Sequence, residues 1–268
     1  MPFQNIIRDI SPVRLQQVLE DSEQPGVTPS VIRQSDGNFT VVLVLDDSKN
    51  MAPSATESEA EALKPVASTH LGPVSPPTNA TKFAQLASEY TQYFDACITS
   101  AQHVTEVNKR VDKMQASAER YRALADPLGI PWYFVAIIHS LESGCDFGTH
   151  LHNGDPLSAR TIQVPKGRPA SGSPPFTWEA SAKDALEIKG FIGQADWSIA
   201  RMLYRWEANN GFGYRPRGVP SPYLWSFSNL YVKGRYVADH IFDPDSVSKQ
   251  CGAGVLLKAL MARAVEHL

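Results

Sequence analysis

The sequence predicts a mainly α protein, in which a large helical domain carrying a small β-hairpin or looped insertion follows a small N-terminal module. Three observations predict it. Apolar residues recur at helical spacing through most of residues 81–268, the tryptophans and tyrosines lie in that stretch, and a Ser/Pro/Ala-rich segment separates it from the first fifty residues. A chain of 268 residues accommodates one large domain plus such a module.

Residues 1–50 show a helical pattern at 12–21 and a strand, NFTVVLVL, at 38–45, after a turn-prone Ser-Asp-Gly. Fifty residues are few for an independent fold, so this module is expected to dock on a partner protein or on the main domain. The composition shifts near Asp46, and residues 51–80 read as a flexible linker, lacking aromatics and nearly all large apolar side chains.

Within 81–268, residues 81–125 read as one long helix or two. Further helices are expected at 127–141, 177–190, 195–207 and 254–267. Between them, residues 153–175 are rich in Gly, Pro and Ser around a short Thr-Ile-Gln-Val run, which suggests a small hairpin or looped insertion.

Charge narrows the function classes. The net charge is −3, with an excess of five negative charges in 1–80 and of five positive charges in 150–235. A modest basic face suits an anionic polymer, but Lys/Arg runs are too sparse for a nucleic-acid protein. No run approaches the roughly eighteen uncharged apolar residues of a membrane span. Arg8, Asp9 and Arg14 interrupt the place where a Sec signal would need an apolar core. The expectation is synthesis in the cytoplasm, with any action on an outside substrate following lysis or specialised export. Cys97, Cys145 and Cys251 share no metal-type spacing and read as reduced thiols.

The chemistry centres on IPWYFVAIIHSLESGCDF, residues 130–147. Ile130, Phe134, Ile137, Ile138 and Leu141 form one apolar face, Glu142 follows directly, and Gly144 is placed to end the helix. A carboxylate at a helix C-terminus, beside apolar surface, is disfavoured in its ionised form. Its pKa rises, as a general acid that protonates a leaving oxygen requires. The bland alternative is an ordinary helix-end glutamate.

Asp155 stands thirteen positions later in an Asn-Gly-Asp-Pro turn, where it is either a plain turn residue or a second carboxylate across a cleft. A glycosidic bond is cleaved by such a pair, one group protonating the departing oxygen and the other activating water or stabilising positive charge.

A helix ending in Glu-Ser-Gly, followed by THLHNGDPLSARTIQVPKGRP at 149–169, resembles the lysozyme superfamily, including phage-type and goose-type lysozymes and lytic transglycosylases. The resemblance covers about residues 125–230. Phage-type members carry a Glu, a later Asp, and a Thr six positions beyond it. Glu142, Asp155 and Thr161 match the second interval, while the first is longer than in that family. The resemblance implies a muramidase cleaving the β-1,4 bond between N-acetylmuramic acid and N-acetylglucosamine in peptidoglycan strands, without cofactor or metal. Glu142 would be its acid, Asp155 its base and Thr161 the residue orienting water. If Asp155 is misplaced, a single-Glu route applies, by transglycosylation or goose-type hydrolysis.

His152, Asn153, Asn210, Tyr214, Arg215, Tyr223, Trp225 and Asn229 are the candidate sugar contacts. The aromatics among them would stack on sugar faces, and the polar groups would bond N-acetyl or lactyl groups. The alternative for the aromatic run is core packing. The tryptophans at 132, 178, 197 and 206 read as core.

Four rival readings stand beside this one. A metal-dependent amidase would use His150 and His152, with Asp155 and His139 nearby, although no HExxH motif is present. A cysteine peptidase would use Cys145 with His139 or His150. A chitinase or chitosanase would share the fold, and a basic cleft disfavours the polycationic chitosan. A non-catalytic glycan-binding protein would use the same aromatics.

Overall fold

The computed structural model describes residues 4–10, 27–33, 39–45, 74–238 and 240–266. The chain divides into two compact units, Met1–Ala67 and Ser68–Leu268.

In the first unit, β1 (Gln4–Ile10), β2 (Val27–Arg33) and β3 (Phe39–Leu45) form an antiparallel sheet in the order β1-β3-β2. The run FTVVLVL suits the central strand, paired along both edges. Pro29 lies in β2, an edge strand, where one side of the backbone needs no ladder partner. The strand expected at 38–45 is thus β3. The helix expected at 12–21 lies outside the described residues.

The second unit is mainly helical. Its elements are α1 (Phe83–Ala96), α2 (Val104–Ala116), α3 (Ala118–Ala125), α4 (Trp132–Ser143), α5 (Trp178–Ile188), α6 (Ile199–Asn210), α7 (Pro222–Trp225), the hairpin β4 (Arg235–Ala238) and β5 (Ile241–Asp243), and α8 (Ala253–Glu266). Among the described residues, no single helix is long and apolar enough to cross a membrane.

Residues 81–125 form three helices rather than one or two. The first break follows Ala96, where Asn229 accepts from the Ile98 amide at 2.8 Å and donates to the Ala96 carbonyl at 3.0 Å, while Thr99 bridges Ser228. That extended pairing competes with continued helix. The end of the expected linker is also tied to this unit. The Tyr93 hydroxyl donates to the Ser75 carbonyl at 2.6 Å, and Arg215 donates to that of Thr78 at 3.1 Å. Carbonyls from 74–80 thus accept from the Tyr93 hydroxyl and add a further acceptor for Arg215 beside Glu89 and Glu207.

Helix α4 is the core. Every residue from Phe134 to Leu141 is buried, so the helix is enclosed on all sides rather than along the one face read from the sequence. It packs against α2, α3 and α8. Phe134 stacks on Trp206 of α6 at 5.1 Å between centroids and meets Phe191 and Trp197 edge-on. Trp178 and Trp206 are fully buried, and Trp132 and Trp197 pack on the core's margin.

The insertion at 153–175 contains no strand, and its only ladder contact among the described residues is a single bridge, Thr149 to Pro156. Five prolines between 156 and 175 remove the amides a ladder needs, and the amides of Ile162 and Gln163 bind Asp155 instead. The hairpin lies at 235–243, with Tyr236 opposite Phe242.

Candidate active site

Glu142 stands in the last turn of α4, which stops one residue later. Gly144 takes the left-handed conformation, φ +60°, which glycine adopts without a Cβ penalty. The amides of Gly144 and Cys145 close on the carbonyls of Ser140 and His139. Gln250 donates to the Leu141 carbonyl at 2.6 Å, and Lys113 to that of Gly144 at 2.5 Å. The last turn is therefore fixed, and Glu142 with it.

Four elements meet at this carboxyl. The Tyr223 hydroxyl, from α7, donates to Glu142 Oε1 at 3.2 Å. Asn209, in the last turn of α6, lies beside Tyr223 and accepts from Lys189 Nζ, just beyond α5, at 2.7 Å. Burial pushes the Glu142 carboxyl above its ordinary value of 4.5, against the opposing pull of the Lys189 charge and the Tyr223 hydrogen bond. The C-terminal end of α4 acts in the same direction as burial. Burial also holds the Lys189 ammonium below its ordinary value, and Tyr223 well above. A cavity of about 350 Å³ opens beside Lys189 and Asn209.

Asp155 occupies a different setting. Its Oδ2 accepts from the amides of Ile162 at 2.8 Å and Gln163 at 3.0 Å, and from Asn153 Nδ2 at 3.1 Å. The Gln163 amide first, then those of Ile162 and Asn153, hold it below the usual carboxylate range. Asn153 completes the turn by accepting from the Asp155 amide. Thr161 is buried; its hydroxyl donates to the Pro165 carbonyl at 2.5 Å and accepts from the Arg168 amide at 2.9 Å. That use closes the 161–168 loop and takes up the hydrogen bonds assigned from the sequence to a water.

The loop backbone nonetheless presses on the site. A Cβ on Gly154 would sit 3.1 Å from the Glu142 carbonyl oxygen, at φ +79°. Gly154→Ala is expected to cost about 1–2 kcal/mol and to lower activity by displacing the end of α4. Thermal unfolding with an assay on the folded fraction checks this, and an unchanged melting temperature contradicts it.

Of the expected sugar contacts, Tyr223 reaches the site, and Asn210 is exposed at the end of α6, one residue from Asn209. Four others are committed to the fold. Trp225 is 2% exposed, packed on Tyr93 and α8, with no free face for a sugar. Tyr214 is buried against Tyr236 and Phe242. Arg215 is held by Glu207 at 2.6 Å and Glu89 at 2.7 Å. Asn229 holds the turn after α1.

His152 is buried on Asp184 at 2.8 Å, and Arg168 grips the same carboxylate with two nitrogens. Its neighbour His150 contacts the Ser181 hydroxyl at 2.7 Å and the Ala159 carbonyl at 2.8 Å, using both ring nitrogens. Ser181 is itself fully buried, so this Ser-His-Asp grouping reaches no substrate. His139 is enclosed by Tyr121, Trp178 and the Asp146 carbonyl, and burial lowers its pKa to about 4. Burial raises the Cys145 thiol, the opposite of what an activated nucleophile needs. These placements favour neither the amidase nor the cysteine reading.

Sequence reasoning missed Lys189 and Asn209. A lysine before glycine at a helix end is an ordinary C-terminal pattern and carries no signal of a site.

No family model, curated protein or solved structure matches the chain.

Proposed function

We propose that the Ser68–Leu268 unit is a lysozyme-like glycosidase of peptidoglycan, with Glu142 as its acid. The observation that carries this reading is a carboxyl at a fixed helix end, raised by burial and under the charge of Lys189, which lines an adjoining cavity. Tyr223 donates to one oxygen of Glu142, so the acid proton resides on the other and is available to a glycosidic oxygen. As that proton leaves, Glu142 becomes an anion. The Tyr223 hydrogen bond and the Lys189 charge then strengthen, which lowers the barrier rather than merely improving binding. No metal or cofactor enters this scheme.

The tied carboxylate of Asp155 favours a single-acid route, in which Glu142 returns as base to deprotonate water or the sugar's own hydroxyl. Asp155→Asn should therefore keep kcat within about tenfold, short of the 10²–10⁴-fold typical of a lost general base. A loss of several orders would restore Asp155 as the base of an inverting hydrolase. Digestion of purified peptidoglycan, read by mass spectrometry, tests the reading as a whole. Reducing muramyl ends indicate hydrolysis and anhydro-muramyl ends transglycosylation, whereas released peptides without glycan cleavage would overturn it.

A further inference from the structure

We infer that Lys189, with Arg201 and Arg205 on the wall of the adjoining cavity, forms a subsite for a carboxylate on the glycan's lactyl branch. The inference deepens the glycosidase reading and rests on it for the choice of ligand. Three cations line this cavity, together with the aromatic rings of Phe191 and Tyr204.

Their carboxylate partners are few. The Asp196 carboxylate pairs with Arg201 at 3.0 Å, whereas Arg205 donates to the Asp196 backbone carbonyl at 2.5 Å, a neutral acceptor. Arg205 is further held by the Gln194 side chain at 3.0 Å and lies over the Trp197 ring at 4.2 Å, while Arg201 lies over Phe83 at 3.3 Å. Both arginines are thereby fixed in place before any ligand arrives.

Among the described residues, Lys189 has only the neutral Asn209 oxygen as a hydrogen-bond acceptor, and the acid that acts on its charge is Glu142. When Glu142 carries its proton, the ammonium is left without a counterion at the cavity edge, with donors to spare. A half-buried cation in that state favours an anion brought in by the substrate. The position fits the chemistry of the proposed substrate, because Lys189 borders both the acid and the cavity. A carboxylate bound there belongs to the sugar unit beside the bond being cleaved. It is either the free lactyl carboxylate or one carried by the peptide attached through it.

Calorimetric binding to the full chain tests this with three probes: a peptide-free tetrasaccharide alternating N-acetylglucosamine and N-acetylmuramic acid, its peptide-bearing counterpart, and neutral chitotetraose. The protein is expected to prefer an acidic glycan over chitotetraose by about tenfold or more. Lys189→Met should erase that preference without weakening chitotetraose, Lys189→Arg should retain it, and Arg205→Gln should reduce it. Tighter binding of the peptide-free glycan assigns the lactyl carboxylate, and tighter binding of the other assigns the peptide's. An unchanged preference in correctly folded Lys189→Met, equal binding of acidic and neutral glycans, or no binding of any probe overturns the subsite. Because the subsite is read from binding and the acid from cleavage, a failure of Glu142 as the acid shows separately, as acidic-glycan preference in a protein that cleaves nothing.

Discussion

Glu142→Gln should reduce glycan cleavage by about 10²–10⁴-fold or more while leaving the fold intact. Glutamine keeps the shape of the side chain and the acceptor for Tyr223, and removes only the proton that the reaction needs. The stability consequence has a definite direction. The folded-state pKa of Glu142 lies above its ordinary value of 4.5, so the folded protein holds a proton that the unfolded chain releases. The stability tied to this group is full below about 4.5 and declines as pH rises toward the folded pKa. Glutamine has no such decline. The variant's melting temperature should match the parent's in acid and equal or exceed it with rising pH. Lost activity with a lowered melting temperature at every pH would instead mark Glu142 as a packing residue.

Arg215→Met should cost about 3–5 kcal/mol, a fall in melting temperature on the order of 10 °C. Arg215 and Glu207 are each 3% exposed in their side chains and pair at 2.6 Å. Tyr90 donates to the same Glu207 oxygen at 2.6 Å, and Glu89 holds the other arm of the guanidinium. Without the arginine, Glu207 remains as a buried carboxylate that only protonation can neutralise; burial already works to raise its pKa, with Arg215 opposing. Combining Arg215→Met with Glu207→Gln should recover part of the loss, since both charges are then gone. Chemical denaturation measures each step. Activity per folded molecule should hardly change, which separates this structural role from the sugar contact suggested by the sequence. A stable Arg215→Met protein with weakened glycan binding would restore the latter.

How legible each feature was in the sequence follows from how physically distinctive its pattern is. Strand β3, helix α5 and helix α8 carry apolar periodicities that have one solution, and the structure places them within a few residues of expectation. The Gly144 stop was legible because a glycine after an apolar helix has few other uses. The insertion was not. Gly- and Pro-rich runs signal turns equally well whether a ladder follows or, as here, Asp155 gathers the amides of Ile162 and Gln163. Conversely, the hairpin at 235–243 has strands of four and three residues, too short to show alternation. Trp225 and Arg215 were assigned to sugar because aromatic and cationic side chains serve cores and clefts alike, and only burial separates the two. Lys189 enters the site through the meeting of α5, α6 and α7, a tertiary fact with no local trace.

Glu142 can serve as the acid only if its side chain still holds a proton where an ordinary glutamate has lost it. Its carboxyl carbon, labelled and followed by NMR across pH, with Glu142→Gln identifying the resonance, reports this directly. The expected inflection lies above 4.5 and moves further up in Lys189→Met, where the opposing charge is gone. An inflection at or below 4.5, insensitive to Lys189, would describe a solvated glutamate and contradict the assignment of the acid.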